Sequence, residues 1–188
     1  MKIGILGFQG SIEEHECVFR KLSVSTVRVK TPQDLEDIDG IVLPGGESTH
    51  MLRLLHFNRL WDPLRIKIQE GLPTFATCAG VVLLSQAIDN TEQETMRLLD
   101  IVVSRNGYGP HYYSFVEEVT IEGFTKAFRA VFIRAPIVRS LETNISVLSQ
   151  DSKSNPIFIR QKNIFGLTFH PEIGNDDRIH SMFIQSIT

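Results

Sequence analysis

The chain has 188 residues, of which 42% are hydrophobic and 22% are charged, a composition typical of a soluble globular protein with a sizeable core. The formal net charge of −3 argues against nucleic-acid and anionic-membrane partners. No apolar run approaches the length of a membrane span, and two cysteines, Cys17 and Cys78, indicate neither a disulfide framework nor a zinc site. We therefore expect one cytoplasmic domain, residues 1–188, that binds no metal and no cofactor.

The first half of the chain predicts alternating strands and helices. Short apolar runs bounded by glycine, proline or polar residues indicate buried strands, and apolar residues three to four apart indicate helices. This order is typical of a parallel sheet with helices on both faces. The predicted elements are a strand at 2–6, a helix from 12, strands at 27–29 and 38–43, helices from 48 and at 60–70, and a strand followed by a helix around Cys78.

Some side chains near these helices are interpreted as structural. Ser11 and Glu14 have the spacing of a capping box, in which the serine hydroxyl accepts a hydrogen bond from the first helical turn. Cys17 is predicted to be a small buried hydrophobe. His15 is predicted to be structural and His180 to be a surface or packed residue, so neither histidine is assigned a catalytic role.

The second half of the chain predicts strands with short connections. Polar, turn-like segments at 151–155 and 161–163 separate some of these strands. We expect them to form an antiparallel extension of the parallel sheet, within a three-layer α/β fold. The predicted strands cover 99–103, 116–121, 131–133, 145–148, 157–160 and 164–169, and a final helix covers 176–187.

Cys78 stands where an apolar strand meets small residues and then a helix-forming run. A side chain at such a corner is exposed, and the first N–H groups of the helix beside it have no partner within the helix. These groups favour negative charge and can hold an oxyanion, so the corner offers a nucleophile and a site for the charge that its attack creates. Taken alone, such a cysteine is more often an inert core residue.

His170 and Glu172 lie on either side of Pro171. In an extended segment their side chains point to the same side, so Glu172 can hold one ring nitrogen while the other takes a proton from a thiol. With Cys78 they form a candidate Cys-His-Glu triad in which the carboxylate orients the imidazole. The histidine taken alone is more often structural.

A glycine-rich segment, PGGEST at residues 44–49, lies between a predicted strand and a predicted helix. Glycines there let the backbone approach a ligand closely and present its N–H groups. The segment does not match a phosphate-binding P-loop, and GFQG at 7–10 lacks the full dinucleotide fingerprint. Nucleotide binding is therefore not supported, and the alternative is an ordinary turn capped by Ser48.

Six short motifs carry a resemblance to a known class of enzyme. TCAG at 77–80, HPE at 170–172 and PGGEST at 44–49 resemble the class I (triad) glutamine amidotransferases. Within that class, the chain resembles the glutaminase subunit of pyridoxal 5′-phosphate synthase through GFQG at 7–10, RNGYG at 105–109 and VFIRAP at 131–136. The resemblance covers essentially the whole chain and implies a flavodoxin-like fold with a mostly parallel central sheet.

The resemblance implies a role for each matching residue. Cys78 would be the nucleophile, His170 the base and acid, and Glu172 the partner of the histidine. The backbone N–H groups of Gly46 and Ala79 would form the oxyanion hole. Arg105 suits the carboxylate of the substrate, and Glu47 suits its ammonium group. The residues that would hold L-glutamine are Gly46, Glu47, Ser48, Arg105, Ile133 and Arg134.

The resemblance also implies a partner. The chain would hydrolyse L-glutamine to L-glutamate and ammonia, and the ammonia would pass through a tunnel into a synthase subunit that makes pyridoxal 5′-phosphate. Glutaminases of this family resemble one another in being weak alone, for which an oxyanion hole completed on docking by a peptide flip near Gly46 is one hypothesis. The chain has Pro110 and His111 where the family usually has Arg-Gln, which bears on the partner interface.

Other functions stay open at this point. A glutaminase subunit of another amidotransferase, such as imidazole glycerol phosphate synthase, would share the triad, although the motifs at 105–106 and 132–134 argue against it. A non-catalytic scaffold subunit would share the fold, but an intact triad argues against it. A cysteine hydrolase of the peptidase-like group need not carry the HPE motif, so that motif counts against this option.

Overall fold

A computed structural model describes residues 1–89, 91–109 and 114–187. The sequence departure at Pro110 and His111 lies outside these described residues. The helices are α1 (Ile12–Lys21), α2 (Ser48–Phe57), α3 (Trp61–Gln69), α4 (Ala79–Leu84) and α5 (Arg178–Gln185), with a 3-10 helix at Pro32–Leu35. The strands are β1 (Lys2–Leu6), β2 (Ser25–Val29), β3 (Gly40–Leu43), β4 (Thr74–Thr77), β5 (Ser85–Ile88), β6 (Leu99–Ser104), β7 (Ser114–Val119), β8 (Phe128–Ile133), β9 (Ile137–Leu141), β10 (Ser146–Gln150), β11 (Pro156–Gln161) and β12 (Ile164–Leu167).

The central sheet has the strand order β10-β11-β12-β4-β3-β1-β2. The pairings from β12 across to β2 are parallel, and β10 and β11 continue the sheet with antiparallel pairings. The predicted α/β class, with a mostly parallel central sheet and an antiparallel extension, is confirmed. Thr77 at the end of β4 pairs with Leu167 at the end of β12, so the segments that follow these two strands leave the sheet side by side.

Two hydrophobic clusters cover the two faces of this sheet. Side chains alternate along β3, so Val42 packs on the face covered by α1, α5 and the β7–β8 pair, which buries phenylalanines such as Phe19 and Phe183. Ile41 and Leu43 face the other way, toward α2, α3 and α4. The three-layer arrangement follows from this alternation, because every central strand is apolar on both faces.

Several local predictions differ from the structure. Strands β5 and β9 were not predicted, and they pair with β6 in a small separate sheet. The run that forms β5, Ser85–Ile88, follows the apolar stretch of α4 with no glycine or proline between them, so no strong stop signal separates the two elements. The burial predicted for Cys17 is wrong: Cys17 is exposed on the solvent face of α1, whereas Val18 and Phe19 face the core. Within the described ranges, no helix is long and apolar enough to cross a bilayer.

Candidate active site

Cys78 lies between β4 and α4, one residue after the strand and one before the helix. Its backbone has φ 47° and ψ −103°, a strained conformation for a residue that carries a side chain. Its N–H donates to the carbonyl of Leu167 at 2.8 Å, which ties the corner to β12. The side chain is 7% exposed, and Sγ lies 3.7 Å from the carbonyl oxygen of Ile133. The corner therefore presents the thiol at a cavity wall.

His170 follows β12 and is fixed to β8, because its N–H donates to the carbonyl of Val131 at 2.8 Å. Its Nδ1 lies 2.7 Å from Oε1 of Glu172, and both side chains are buried. A carboxylate at this distance favours the hydrogen on Nδ1, which leaves Nε2 to exchange a proton with a thiol. The structure thus brings Cys78, His170 and Glu172 together, with Glu172 behind the imidazole.

The charges of this group depend on one another. Burial alone would lower the pKa of His170, but interactions with Cys78 and Glu172 outweigh burial and raise that pKa to about 10. Burial alone would raise the pKa of Glu172, but the neighbouring His15 and the hydrogen bonds from His170 and Ser11 lower it to about 2. The imidazole and the carboxylate therefore keep each other charged at neutral pH.

Ser11 belongs to this group, which corrects the prediction of a capping box. Its side chain makes no capping hydrogen bond to α1, and its hydroxyl donates to Oε1 of Glu172 instead. The two residues are 161 positions apart, so no local pattern could have revealed the contact. Gly10, with φ of 99°, forms the turn that delivers Ser11 to the carboxylate.

The glycine-rich segment between β3 and α2 packs directly against the imidazole. A Cβ added to Gly45 would lie 2.2 Å from Cε1 of His170, so only glycine fits beside the ring. The carbonyl of Gly45 accepts a hydrogen bond from the N–H of Ser11 at 3.3 Å. Because the carbonyl and the N–H of a trans peptide point in opposite directions, the N–H of Gly46 points away from Ser11.

Glu47 and Arg105 pair with each other. Nη2 of Arg105 donates to Oε1 of Glu47 at 2.9 Å, and the same carboxylate caps α2 by accepting from the N–H groups of Thr49 and His50. Both side chains are partly exposed at the cavity. The site thus presents a positive and a negative group side by side.

Gln93 supports this ion pair, although no motif in the sequence indicates it. Its Oε1 accepts from Nη1 of Arg105 at 2.9 Å and from the hydroxyl of Thr49 at 3.1 Å. The hydroxyl of Ser48 lies 3.4 Å from the same oxygen. These contacts fix the guanidinium of Arg105. Its position therefore depends on the segment between β5 and β6, to which Gln93 belongs.

One cavity of about 480 Å³ connects these features. His170 lines this cavity, whereas Glu172 lies behind His170 and does not line the cavity. Among the residues that the structure describes, no group of three or more His, Cys, Asp or Glu side chains could hold a metal ion. The sequence-predicted residues in the cavity wall are Gly46, Glu47, Ser48, Cys78, Ala79, Arg105, Ile133, Arg134 and His170.

A cysteine at a strained strand–helix corner, next to a buried histidine–carboxylate pair on an α/β sheet, defines a class of enzymes that act through a cysteine nucleophile. The comparison with family models narrows this class. The model of the SNO glutamine amidotransferase family matches residues 5–188, and the chain belongs to that family.

Individual proteins agree with this assignment. The chain is 43% identical to "Pyridoxal 5'-phosphate synthase subunit PdxT" of Thermosipho africanus, covering 100% of this chain and 99% of that protein. It is 47% identical to the protein of the same name from Dictyoglomus turgidum, over 98% of each. A solved structure described as "Crystal structure of glutamine amidotransferase" superposes with a TM-score of 0.93 at 34% identity, over 98% of each chain.

Because Ser11 contacts Glu172 and does not cap α1, we expect substitutions of Ser11 and Glu14 to differ in their effect on stability. Ser11→Ala removes a donor to a buried charge and should lower the free energy of unfolding by about 1.5–3 kcal/mol. Glu14→Ala, the matched control, should change it by less than about 0.5 kcal/mol, because the exposed Glu14 does not act in a capping box. Urea unfolding of both variants tests this. Similar losses in both variants would instead support the capping box.

The low pKa of Glu172 predicts an acid-dependent stability. A carboxyl whose pKa falls from 4.5 to about 2 on folding stabilises the fold above pH 4.5 and loses that contribution as the pH falls toward 2. The difference in unfolding free energy between the wild type and Glu172→Gln should therefore shrink by about 2 kcal/mol from pH 5.5 to pH 3. Urea titrations across this range measure it, and a difference that stays constant with pH would contradict the assignment.

Proposed function

We propose that this chain is the glutaminase subunit of a pyridoxal 5′-phosphate synthase and hydrolyses L-glutamine to L-glutamate and ammonia. The observation that carries the proposal is the contact of His170 with Glu172 beside Cys78, at the wall of one cavity. Relatives that bear the name of this subunit over their full length support it over the glutaminase of imidazole glycerol phosphate synthase. We also propose that residues 1–188 form one domain.

In this proposal the substrate head group meets the ion pair of Glu47 and Arg105. Glutamine carries a carboxylate and an ammonium group on one carbon, and the ion pair offers a partner of opposite charge to each. Ser48 and the backbone at Ile133 and Arg134 would complete the subsite, because they line the same cavity. The side-chain amide would then extend toward Cys78.

The proposed reaction has two halves. The thiolate of Cys78 attacks the amide carbon, a C–S bond forms, and the N–H groups of Gly46 and Ala79 hold the oxyanion. His170 gives a proton to the nitrogen as the C–N bond breaks, so ammonia leaves and a glutamyl thioester remains. His170 then takes a proton from water, whose oxygen bonds to the thioester carbon. The C–S bond breaks, glutamate leaves after giving its carboxyl proton to solvent, and the Cys78 thiolate is restored beside protonated His170. Glu172 orients the imidazole throughout and stays ionised.

The proposed partner is the synthase subunit, which would receive the ammonia without release to water. The names of the relatives describe subunits of one synthase, which supports a hetero-oligomer. The hypothesis of an oxyanion hole completed on docking concerns the peptide between Gly45 and Gly46. We also place the protein in the cytoplasm, where the free thiols of Cys17 and Cys78 would stay reduced.

The direct test measures glutamate released from glutamine, with and without a pyridoxal 5′-phosphate synthase subunit. Cys78→Ala should lower the rate by about 10⁴-fold or more and leave binding of the synthase subunit unchanged. Cys17→Ala is the matched control, because this thiol is exposed on α1 and should have no effect on the rate. Hydrolysis that persists in Cys78→Ala would overturn the nucleophile, and hydrolysis without any response to the synthase subunit would overturn the partner.

A further inference from the structure

Two buried histidines lie behind the candidate triad. His15 comes from α1 and His180 from α5, and neither side chain is exposed to solvent. Nδ1 of His15 lies 3.0 Å from Nε2 of His180, which is hydrogen-bonding distance. The rings of Phe19 and Phe75 pack around them, so the pair sits in an apolar part of the core. A polar pair in such a place needs a reason beyond filling space.

The outer nitrogen of His15 faces the triad carboxylate. Its Nε2 lies 3.6 Å from Oε2 of Glu172 and 3.5 Å from Oγ1 of Thr77. This Oε2 is buried and makes no hydrogen bond within the described part of the chain, whereas Oε1 accepts from both His170 and Ser11. One carboxylate oxygen is therefore fully engaged, and the other faces an imidazole nitrogen.

One arrangement of hydrogens makes these contacts without burying an unpaired N–H group. If Nε2 of His15 carries the hydrogen, it points at the carboxylate, and the bare Nδ1 accepts from Nε2–H of His180. The Nδ1 of His180, which is buried without a partner among the described residues, is then a bare nitrogen. The opposite arrangement would turn a lone pair of His15 toward the carboxylate and bury an unpaired N–H of His180.

We propose that His15 is a positioning residue for the triad: its Nε2–H faces Oε2 of Glu172 at 3.6 Å and attracts it electrostatically, and His180 fixes the tautomer of His15 that does so. With Oε1 hydrogen-bonded and Oε2 attracted by this N–H, rotation of the carboxylate away from the imidazole of His170 is opposed. The proposal rests on the proposed glutaminase function for its kinetic consequence. Its structural part, the tautomer and the contact, stands on the distances alone.

Burial favours the neutral form of both histidines, in which the Nε2–H of His15 still turns the positive end of its dipole toward Glu172. Burial lowers the pKa of His15, although Glu172 opposes the shift. Burial and the neighbouring His15 lower the pKa of His180 to about 3. The titratable groups that act on His15 are Glu172, His170, His180 and, from its own helix, Glu14. His15 is therefore neutral at pH 7, and His180 should not gain a proton between pH 5 and pH 9.

The kinetic test compares substitutions that differ in one donor. His15→Met fills similar space without a donor, and His15→Gln restores an N–H near the position of Nε2. In complex with the synthase subunit, His15→Met should lower kcat for glutamine about tenfold with KM changed less than twofold, because the N–H dipole that faces the otherwise unpaired oxygen of Glu172 is lost. His15→Gln should recover most of that loss. His180→Phe should lower kcat by a smaller factor, because His15 can then adopt either tautomer.

A merely structural role would give a different pattern. In that case, His15→Met and His15→Gln would both lower the melting temperature, and kcat would follow the folded fraction without selective recovery in His15→Gln. An unchanged kcat in a folded His15→Met would also overturn the proposal.

A spectroscopic test on the unmodified protein needs neither activity nor a variant that folds. Long-range ¹H–¹⁵N correlation spectra of the histidine rings at pH 7 should show His15 and His180 as neutral Nε2–H tautomers, and His180 should not titrate from pH 5 to pH 9. An Nδ1–H tautomer of His15, or a titration of His180 in this range, would overturn the proposal. If the wild type releases no glutamate, the proposed function fails, and the tautomer alone then decides whether His15 holds Glu172.

Discussion

The buried carboxylate of Glu172 is the group on which the rest of the site depends. A charge removed from water is tolerated only when donors replace its hydration, and here the donors come from three places. His170 and Ser11 bond one oxygen, and His15 faces the other. Since Ser11 and His15 belong to the beginning of the chain and His170 to its end, this one charge joins the two ends across a sheet in which β1 and β12 are not neighbours.

The remaining geometry comes from the backbone rather than from flexible side chains. The strained conformation of Cys78 is held by its hydrogen bond to β12, and the same strand leads into His170. Gly45 lies so close to the imidazole that no side chain would fit there. The positions of the nucleophile and the base therefore depend on strand pairing and on close packing of the backbone. These are the most rigid features of an α/β fold. The ion pair of Glu47 and Arg105 is more exposed, as expected of groups that meet a polar substrate.

Sequence patterns predicted the parts of this structure whose causes are local. The strands β1, β3 and β4 are short apolar runs that end at glycine, proline or small residues. The functional residues of the cysteine corner lie within a few positions of one another, and so do those of the HPE motif. The contact of Ser11 with Glu172 could not be predicted, because the local pattern around Ser11 equally fits a capping box. Gln93 and the contact between His15 and His180 depend on how separate elements pack, and no periodicity encodes that packing.

The central claim is that Glu172 is an ionised, donor-held carboxylate in the folded protein. Its direct test is a carbon-13 NMR titration of the side-chain carboxyl groups in glutamate-labelled protein, with the Glu172 signal assigned by its absence in Glu172→Gln. The account predicts that this signal keeps the chemical shift of a carboxylate from pH 7 down to at least pH 3, since its pKa is about 2. A titration midpoint at or above 4.5 would contradict the account, because the carboxyl would then gain nothing from its neighbours.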